Sequence, residues 1–290
     1  MKELLVLSGK GGAGKTSITA CFAQLARNAV FVDCDVDASN LPMLLTPSDT
    51  HTEEFRAGQI PVVDPGKCSG CGACAALCRF HAVTVENGSA RVADSCEGCG
   101  VCSDHCPEGA ITLSDRVCGE LCVSETGYGM LYHAALRPGA ENSGKLIASL
   151  RKLAREKAEK AGADWIISDG PPGIGCPVIS AATGVDHAVV VTEPSVSGIH
   201  DMQRLASLLK QFEIPFALLI NKWDINPGKT EETERWCERN HIPVLGRIPF
   251  DETFSRALQQ RKTILDCPGS PSDSILRQCW ERLQKYIAME

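Results

Sequence analysis

The 290-residue sequence predicts an α/β fold, with a mostly parallel sheet covered by helices on both faces and interrupted by a small cysteine-rich α+β module. Three observations carry this expectation. A short apolar run leads into a glycine-rich loop and then a helix-compatible stretch. Later apolar runs alternate with helix-like segments, as in a sheet buried on both sides. Between them, cysteine and glycine crowd a segment with no helix-length amphipathic pattern.

Taken in order, Leu4 to Leu7 reads as a buried strand, Thr16 to Arg27 as a helix, and Ala29 to Val32 as a second strand. Further strands are expected at Trp165 to Ile167, Ala188 to Val191, Phe216 to Ile220 and Val244 to Ile248. The interruption runs from Pro61 to Asp115. One domain is therefore expected from 1–60 together with 116–290, and an inserted domain from 61–115. Within the insertion, Cys68 to Val85 and Cys96 to Leu113 share Cys-x-Gly-Cys-Gly-x-Cys-x3-Cys-x3-Ala-(Val/Ile)-Thr-(Val/Leu) at an offset of 28 residues, the mark of a pseudo-twofold module.

Composition narrows the function classes. The net charge of −7 offers no extended basic surface for nucleic acid, and no apolar run approaches the ~20 residues of a membrane span. Met1 to Ser8 leads straight into the glycine-rich loop, leaving no room for a cleaved leader, so a cytoplasmic protein is expected. In that compartment sixteen cysteines, half of them in two short runs, read as metal ligands rather than disulfides.

Gly9-Lys10-Gly11-Gly12-Ala13-Gly14-Lys15-Thr16 matches G-x-x-x-x-G-K-[ST] between a strand and a helix, where a phosphate loop must lie. Small residues let successive backbone N–H groups approach phosphate oxygens, and the helix N-terminus adds partial positive charge. Lys15 is expected to neutralise the β and γ phosphates of ATP, Thr16 to ligate Mg²⁺, and Ser17 to follow in the loop. Asp33, Asp35 and Asp37 follow the second strand, and Asp169 the strand ending near Ser168, so their carboxylates should face the crevice at the strand ends. Asp169 is the expected Mg²⁺ partner and Asp35 the residue that orients the attacking water. Asp33 would support the metal through water, whereas Asp37 reads equally well as a helix cap.

Cys68, Cys71, Cys74 and Cys78, then Cys96, Cys99, Cys102, Cys106 and Pro107, repeat C-x2-C-x2-C-x3-C, the spacing of bacterial two-cluster ferredoxins. Three close cysteines wrap one 4Fe-4S cluster and the distant fourth ligates the other. Cys68, Cys71, Cys74 and Cys106 thus form one set, and Cys96, Cys99, Cys102 and Cys78 the second. Zinc is the alternative for four thiolates, but its sites pair two C-x2-C knuckles rather than three cysteines in a row. Arg79 stands where the second copy has Pro107, and His81 and His105 read as spacers.

The run Lys10 to Thr16 resembles the deviant Walker A motif of the MinD/ParA ATPases, a group that includes Mrp-type scaffolds and the nitrogenase iron protein. The resemblance implies a P-loop NTPase fold and an ATP-sandwiched dimer, homodimeric or with a related ATPase, in which Lys10 reaches the partner's phosphates. It also implies adenine contacts from Asn221-Lys222 and from Pro249-Phe250-Asp251. Thr192-Glu193-Pro194-Ser195 with Ser197-Gly198, and Glu141-Asn142-Ser143-Gly144-Lys145, look like the ferredoxin-containing branch. In the nitrogenase iron protein a cysteine at the distance of Cys176 beyond the matching aspartate ligates a dimer-bridging cluster. The required second cysteine is missing near Asn142, so a packed thiol is expected at Cys176.

Cys118 and Cys122 fall in a strand-like run whose even offset puts both on one face, as partly buried thiols. Cys21, Cys34, Cys237, Cys267 and Cys279 read as small apolar residues. The tail Ile275, Leu276, Cys279, Trp280, Leu283 and Ile287 has helical periodicity with nearly balanced charges, pointing to a helix docked on the core rather than on a membrane. The function expected is an ATPase that couples nucleotide state to electron or cluster transfer toward a redox or client protein. An ATP-driven interaction switch with sensory or structural clusters, and a cluster assembly scaffold or carrier, are the alternatives.

Overall fold

The computed structural model describes residues 1–137 and 142–289. Its elements are β1 (Lys2–Ser8), α1 (Lys15–Leu25), β2 (Ala29–Asp33), α2 (Leu41–Leu45), β3 (Asp49–Val63), α3 (Ala73–Leu77), β4 (Val83–Glu86) and β5 (Ser89–Val92). They continue as α4 (Val101–Asp104), β6 (Ile111–Thr126), β7 (Gly129–Leu136), α5 (Ser143–Ala161), β8 (Trp165–Pro172), α6 (Cys176–Ala182), β9 (His187–Thr192) and α7 (Val196–Gln211). The chain closes with β10 (Phe216–Asn221), α8 (Pro227–Arg239), β11 (Val244–Ile248), α9 (Thr253–Gln259) and α10 (Pro271–Met289).

Two compact units result, Met1–Glu53 with Glu120–Glu290, and Glu54–Gly119. The first is built on a sheet of order β11-β10-β9-β1-β8-β2-β7-β6-β3. β1 lies between β8 and β9, and the pairs from β11 through β7 are parallel. These strands are apolar on both faces, as parallel strands under helices must be; Leu4, Leu5, Val6 and Leu7 are all fully buried.

One layer of the core joins α1, α2 and α10 to the sheet through Phe22, Leu41, Leu45, Phe31, Trp280 and Leu283. Trp280 packs its ring 5.2 Å from Phe22 and 5.5 Å from Trp165. The C-terminal helix thus lies on the core, its apolar stripe spent on Leu276, Cys279, Trp280, Leu283 and Ile287. No helix among the described residues is long and apolar enough to cross a membrane.

The first unit also holds a buried ionic cluster. Glu3 accepts from Arg151 and Arg155, while Arg151 donates to the carbonyls of Ser180 (2.9 Å) and Thr183 (2.7 Å). The start of β1 is thereby tied to α5 and the end of α6.

The second unit has its own small core of Cys74, Val83, Ala90, Cys102 and Ile111, with β4 and β5 as an antiparallel hairpin. Its bounds at Glu54 and Gly119 differ from the 61–115 read from sequence, because β3 and β6 are long strands that begin in one unit and finish in the other. Their polar composition, such as Asp49-Thr-His-Thr-Glu-Glu54, hides them from an apolar-run criterion.

Candidate functional site: a phosphate loop and two cysteine-lined cavities

The loop from Ser8 to Lys15 passes directly from β1 into α1. Gly14 is the N-cap at φ 91°, and no side chain caps the helix or places an acid in its first turn. The free N–H groups and partial positive charge of α1 are therefore available to an anion. They open on a cleft with about 1100 Å³ of unfilled space, lined by Gly11, Gly12, Ala13, Gly14, Lys15, Thr16 and Ser17 on one side and by Asp35, Asp37 and Asn40 on another.

Asp169 anchors the floor. It is fully buried and lies in register with Asp33 on β2 and Val6 on β1. The sequence reading set it beyond its strand; it lies within β8, which runs on through Gly170 to Pro172. It accepts from Lys15 Nζ at 2.9 Å, Thr16 Oγ1 at 2.7 Å and Thr19 Oγ1 at 2.8 Å. Thr19, one turn into α1, escaped the sequence reading. Its only signal was a hydroxyl four residues after Lys15, whose carbonyl it also reaches at 3.0 Å.

Asp33 accepts from Asp35 N (3.0 Å), Ser39 Oγ (2.8 Å) and Leu41 N (3.0 Å), so it builds the turn after β2. Asp35 does line the cleft, with Lys15 Nζ 3.9 Å away. Burial alone would lower the Lys15 ammonium, but Asp169, and behind it Asp33 and Asp35, raise it above its ordinary value, so it stays charged. Burial and the neighbouring Asp169 raise both Asp33 and Asp35, Lys15 opposing in each case. The Asp169 and Asp35 carboxylates thus face the Lys15 ammonium beside the Thr16 hydroxyl.

Lys10 is held within its own chain. Its Nζ lies 2.7 Å from Glu193 Oε1, 3.2 Å from Ser195 Oγ and 3.1 Å from Ser197 Oγ. Glu193 also takes Lys222 Nζ at 3.3 Å, and Lys222 donates to Gly12 O at 3.0 Å. Burial would raise Glu193, but the hydrogen bonds from Lys10 and Lys222 outweigh it and hold it below its ordinary value. Asn221 is buried and donates to Ala13 O at 2.9 Å, bracing the loop from β10.

Pro249, Phe250 and Asp251 do not line the cleft. Asp251 instead accepts from Thr253 N (2.9 Å), Ser270 Oγ (2.7 Å) and Ser272 Oγ (2.9 Å), tying α9 to the start of α10. Phe250 is exposed and its N–H meets Asp224 Oδ1 at 2.7 Å. Of the expected motif from Glu141 to Lys145, Glu141 lies outside the described residues; Asn142, at φ 82°, precedes α5. Cys176, expected to be packed, is exposed at the start of α6, after the extended N-cap Gly175.

In the second unit the eight repeat cysteines divide between two cavities, each with about 320 Å³ of unfilled space. Cys68, Cys71, Cys74 and Cys106 line one; Cys96, Cys99, Cys102 and Cys78 line the other. Backbone N–H groups point at the sulfurs: Ala82 to Cys78 and Ala110 to Cys106, both at 3.3 Å, Gly98 to Cys96 at 3.4 Å, and Ala90 to Cys68 at 3.5 Å. The Ala90 and Gly70 amides hold the Cys68 thiol below its ordinary value, whereas burial raises Cys74 and Cys102. Among the described residues no three His, Cys, Asp or Glu side chains gather as the ligands of a single ion. Thiolates on one zinc would stand roughly 3.8 Å apart. Cys118 and Cys122 are both buried, the first donating to Ala57 O at 3.0 Å and the second 3.6 Å from Thr52 Oγ1.

A mostly parallel sheet, a glycine-rich loop at the uncapped start of α1, and Lys15, Thr16 and Asp169 in mutual contact define a P-loop nucleotide-binding ATPase. The family described as the CobQ/CobB/MinD/ParA nucleotide binding domain matches residues 4–264. An uncharacterized protein of Methanocaldococcus jannaschii is 31% identical over 98% of this chain and 97% of its own. The septum site-determining protein MinD of Bacillus subtilis is 23% identical over 97% and 88%. Among solved structures, MinD of Pyrococcus horikoshii complexed with Mg-ADP superposes with a TM-score of 0.61 at 16% identity, covering 99% of this chain and 98% of that one. This chain belongs to the CobQ/CobB/MinD/ParA nucleotide-binding family.

Proposed function

We propose that this ATPase couples its nucleotide state, through an ATP-dependent dimer, to electron or cluster transfer by two 4Fe-4S clusters in its second unit. The observation that carries this reading is the division of eight cysteines into two cavities in the same sets that the ferredoxin spacing requires, within a chain that also holds a phosphate loop.

In the cleft, the loop amides and Lys15 would bind the phosphates, Thr16 and Asp169 would hold Mg²⁺, and Asp35 would orient the attacking water. The carboxylate and hydroxyl oxygens suit a hard divalent cation, which would neutralise the charge developing on the phosphates. Thr16 Oγ1, now 2.7 Å from Asp169 Oδ2, would turn its lone pair to the metal. Asn221 and Lys222 would steady the loop and the base. Lys10 must leave Glu193, Ser195 and Ser197 to reach a partner subunit, so closure of the dimer and opening of that ion pair would be one event.

The cysteine sets fit a cubane better than a single ion, since their sulfurs surround a cavity and accept backbone N–H groups, the usual environment of cluster thiolates. Such clusters supply one-electron storage at low potential. The chain's part is to exclude water with Val85, Ala90, Ala110 and Ile111 around one set, and with Phe80, Ala82 and Val83 around the other.

The test is anaerobic: reconstitute the protein, reduce it, and follow its oxidation by candidate acceptor proteins with ATP, ADP or neither. Rates that differ between nucleotides are expected; equal rates under all three defeat the gating idea. The likeness to MinD favours a second reading, a positioning or recruitment switch whose clusters brace or sense. Full persistence of ATP-dependent dimerisation and partner binding in Cys71→Ser and Cys99→Ser variants would select that reading.

A further inference from the structure

The two halves of the cysteine-rich unit are related by the sequence repeat, and the backbone that closes each cavity follows the same rule. Gly70, between two ligands of the first set, lies against the backbone of Gly88 so closely that a Cβ would overlap its carbonyl. Its repeat counterpart Gly98, in the second set, lies against the carbonyl of Gln59 in the same way. Gly88 and Gln59 are therefore equivalent in space although β5 and β3 supply their surroundings from different parts of the chain.

Two residues beyond each of these contacts the equivalence breaks. Ala90, two after Gly88, lines the first cavity and donates its N–H to Cys68 Sγ at 3.5 Å. Pro61, two after Gln59, lines the second cavity and has no N–H to donate. The remaining donors match across the repeat: Ala110 to Cys106 against Ala82 to Cys78, and Gly98 to Cys96 at 3.4 Å against Gly70 to Cys68. Each cavity is also lined by one carboxylate, Glu108 or Glu97. Arg116 works in the other sense at the second set, its guanidinium donating to Cys96 O at 2.9 Å and Asp94 O at 3.0 Å.

We propose that Pro61 withholds from Cys96 the N–H that Ala90 gives to Cys68, and so holds the Cys96, Cys99, Cys102 and Cys78 cluster at a lower reduction potential than its pseudo-symmetric position would otherwise have. The inference rests on the two-cluster reading above. An N–H aimed at a cluster sulfur stabilises the reduced, more negative state more than the oxidised one, so its absence disfavours electron gain. In each reductive step one electron from a one-electron donor passes to one cluster with no bond made or broken. Pro61 makes the second cluster the stronger reductant for a partner protein than a residue with an N–H would.

The test uses the full chain, loaded anaerobically with iron and sulfide and titrated against dithionite while the reduced clusters are followed by electron paramagnetic resonance. Cys99→Ser identifies which transition belongs to the second set. Pro61→Ala is expected to raise that transition alone, by roughly tenfold in the one-electron equilibrium or about 59 mV, and Ala90→Pro to lower the other. Pro61→Val restores the N–H with a β-branched side chain suited to a strand, and should give the same rise if the alanine variant folds poorly. Full loading of both clusters with neither transition moved by Pro61→Ala or Pro61→Val overturns the proposal. A protein that takes up no iron or sulfide overturns the two-cluster reading itself, and this inference with it.

Discussion

Three glycines of the phosphate loop should respond to alanine in a graded way that depends on the backbone and not on phosphate binding. Gly14 has φ 91°, and a Cβ there would overlap Asn221 Nδ2. An L-residue in the left-handed region costs about 1–2 kcal/mol. Moving the buried Asn221 amide off Ala13 O adds about 1–3 kcal/mol for the group left unpaired, so Gly14→Ala should destabilise the nucleotide-free protein by roughly 2–5 kcal/mol. Gly12, at φ 84° with nothing within 4 Å of an added Cβ, carries only the conformational cost, about 1–2 kcal/mol. Gly11 has open space and no positive φ, and its variant should stay within about 0.5 kcal/mol of the parent. Thermal unfolding by circular dichroism measures this series, at roughly 2–4 °C per kcal/mol for a unit of this size. In an Asn221→Ala background the cost of Gly14→Ala should shrink to that of Gly12→Ala, since the clash is gone. Equal losses at Gly12 and Gly14, or no relief from Asn221→Ala, would refute the reasoning.

Other outcomes follow from the same structure. Trp280→Ala removes the ring shared by Phe22 and Trp165 and should cost about 3–5 kcal/mol, read by urea unfolding; a change below about 1 kcal/mol would contradict the docking of α10. Glu193 is held below its ordinary value of 4.5. Its contribution to stability is therefore complete at neutral pH and is lost as pH falls below 4.5 through the depressed value, so Glu193→Gln should flatten the acid limb of the melting-temperature profile. Lys10→Ala should leave nucleotide binding by the monomer intact while removing ATP-dependent dimerisation in sedimentation velocity. Asp35→Ala should slow ATP hydrolysis about 10²-fold or more with nucleotide affinity retained in a fluorescence titration.

What the sequence made legible was whatever local chemistry dictates. The phosphate loop, its strand and its helix were readable because strand, glycines and Lys15-Thr16 lie within a single short stretch. The division of the cysteines into two sets was readable because the repeat fixes their spacing. Long-range partners were not. Thr19 meets Asp169 only because β8 lies beside β1, and Glu193 gathers Lys10 and Lys222 from two other strand ends. The ends of β3 and β6 carry polar residues and no apolar run, and Asp169 lies beyond the apolar run Trp165 to Ile167 although β8 continues through it. Asp251 was legible as a motif residue but its partners were not, since its carboxylate is engaged by two serines far along the chain. The exposure of Cys176 depends on how α6 lies on the sheet, which composition does not encode.

The division of the chain into Met1–Glu53 with Glu120–Glu290 on one side, and an unbroken Glu54–Gly119 on the other, sets an order of birth. A ribosome completes all eight repeat cysteines before it has made β8 or β9, the two neighbours that β1 needs on either flank. The cysteine-rich unit can therefore finish folding while the nascent nucleotide site still lacks Asp169. Folding of this unit and completion of the nucleotide site are separated in time by the order of the chain, so the first need not wait on the second.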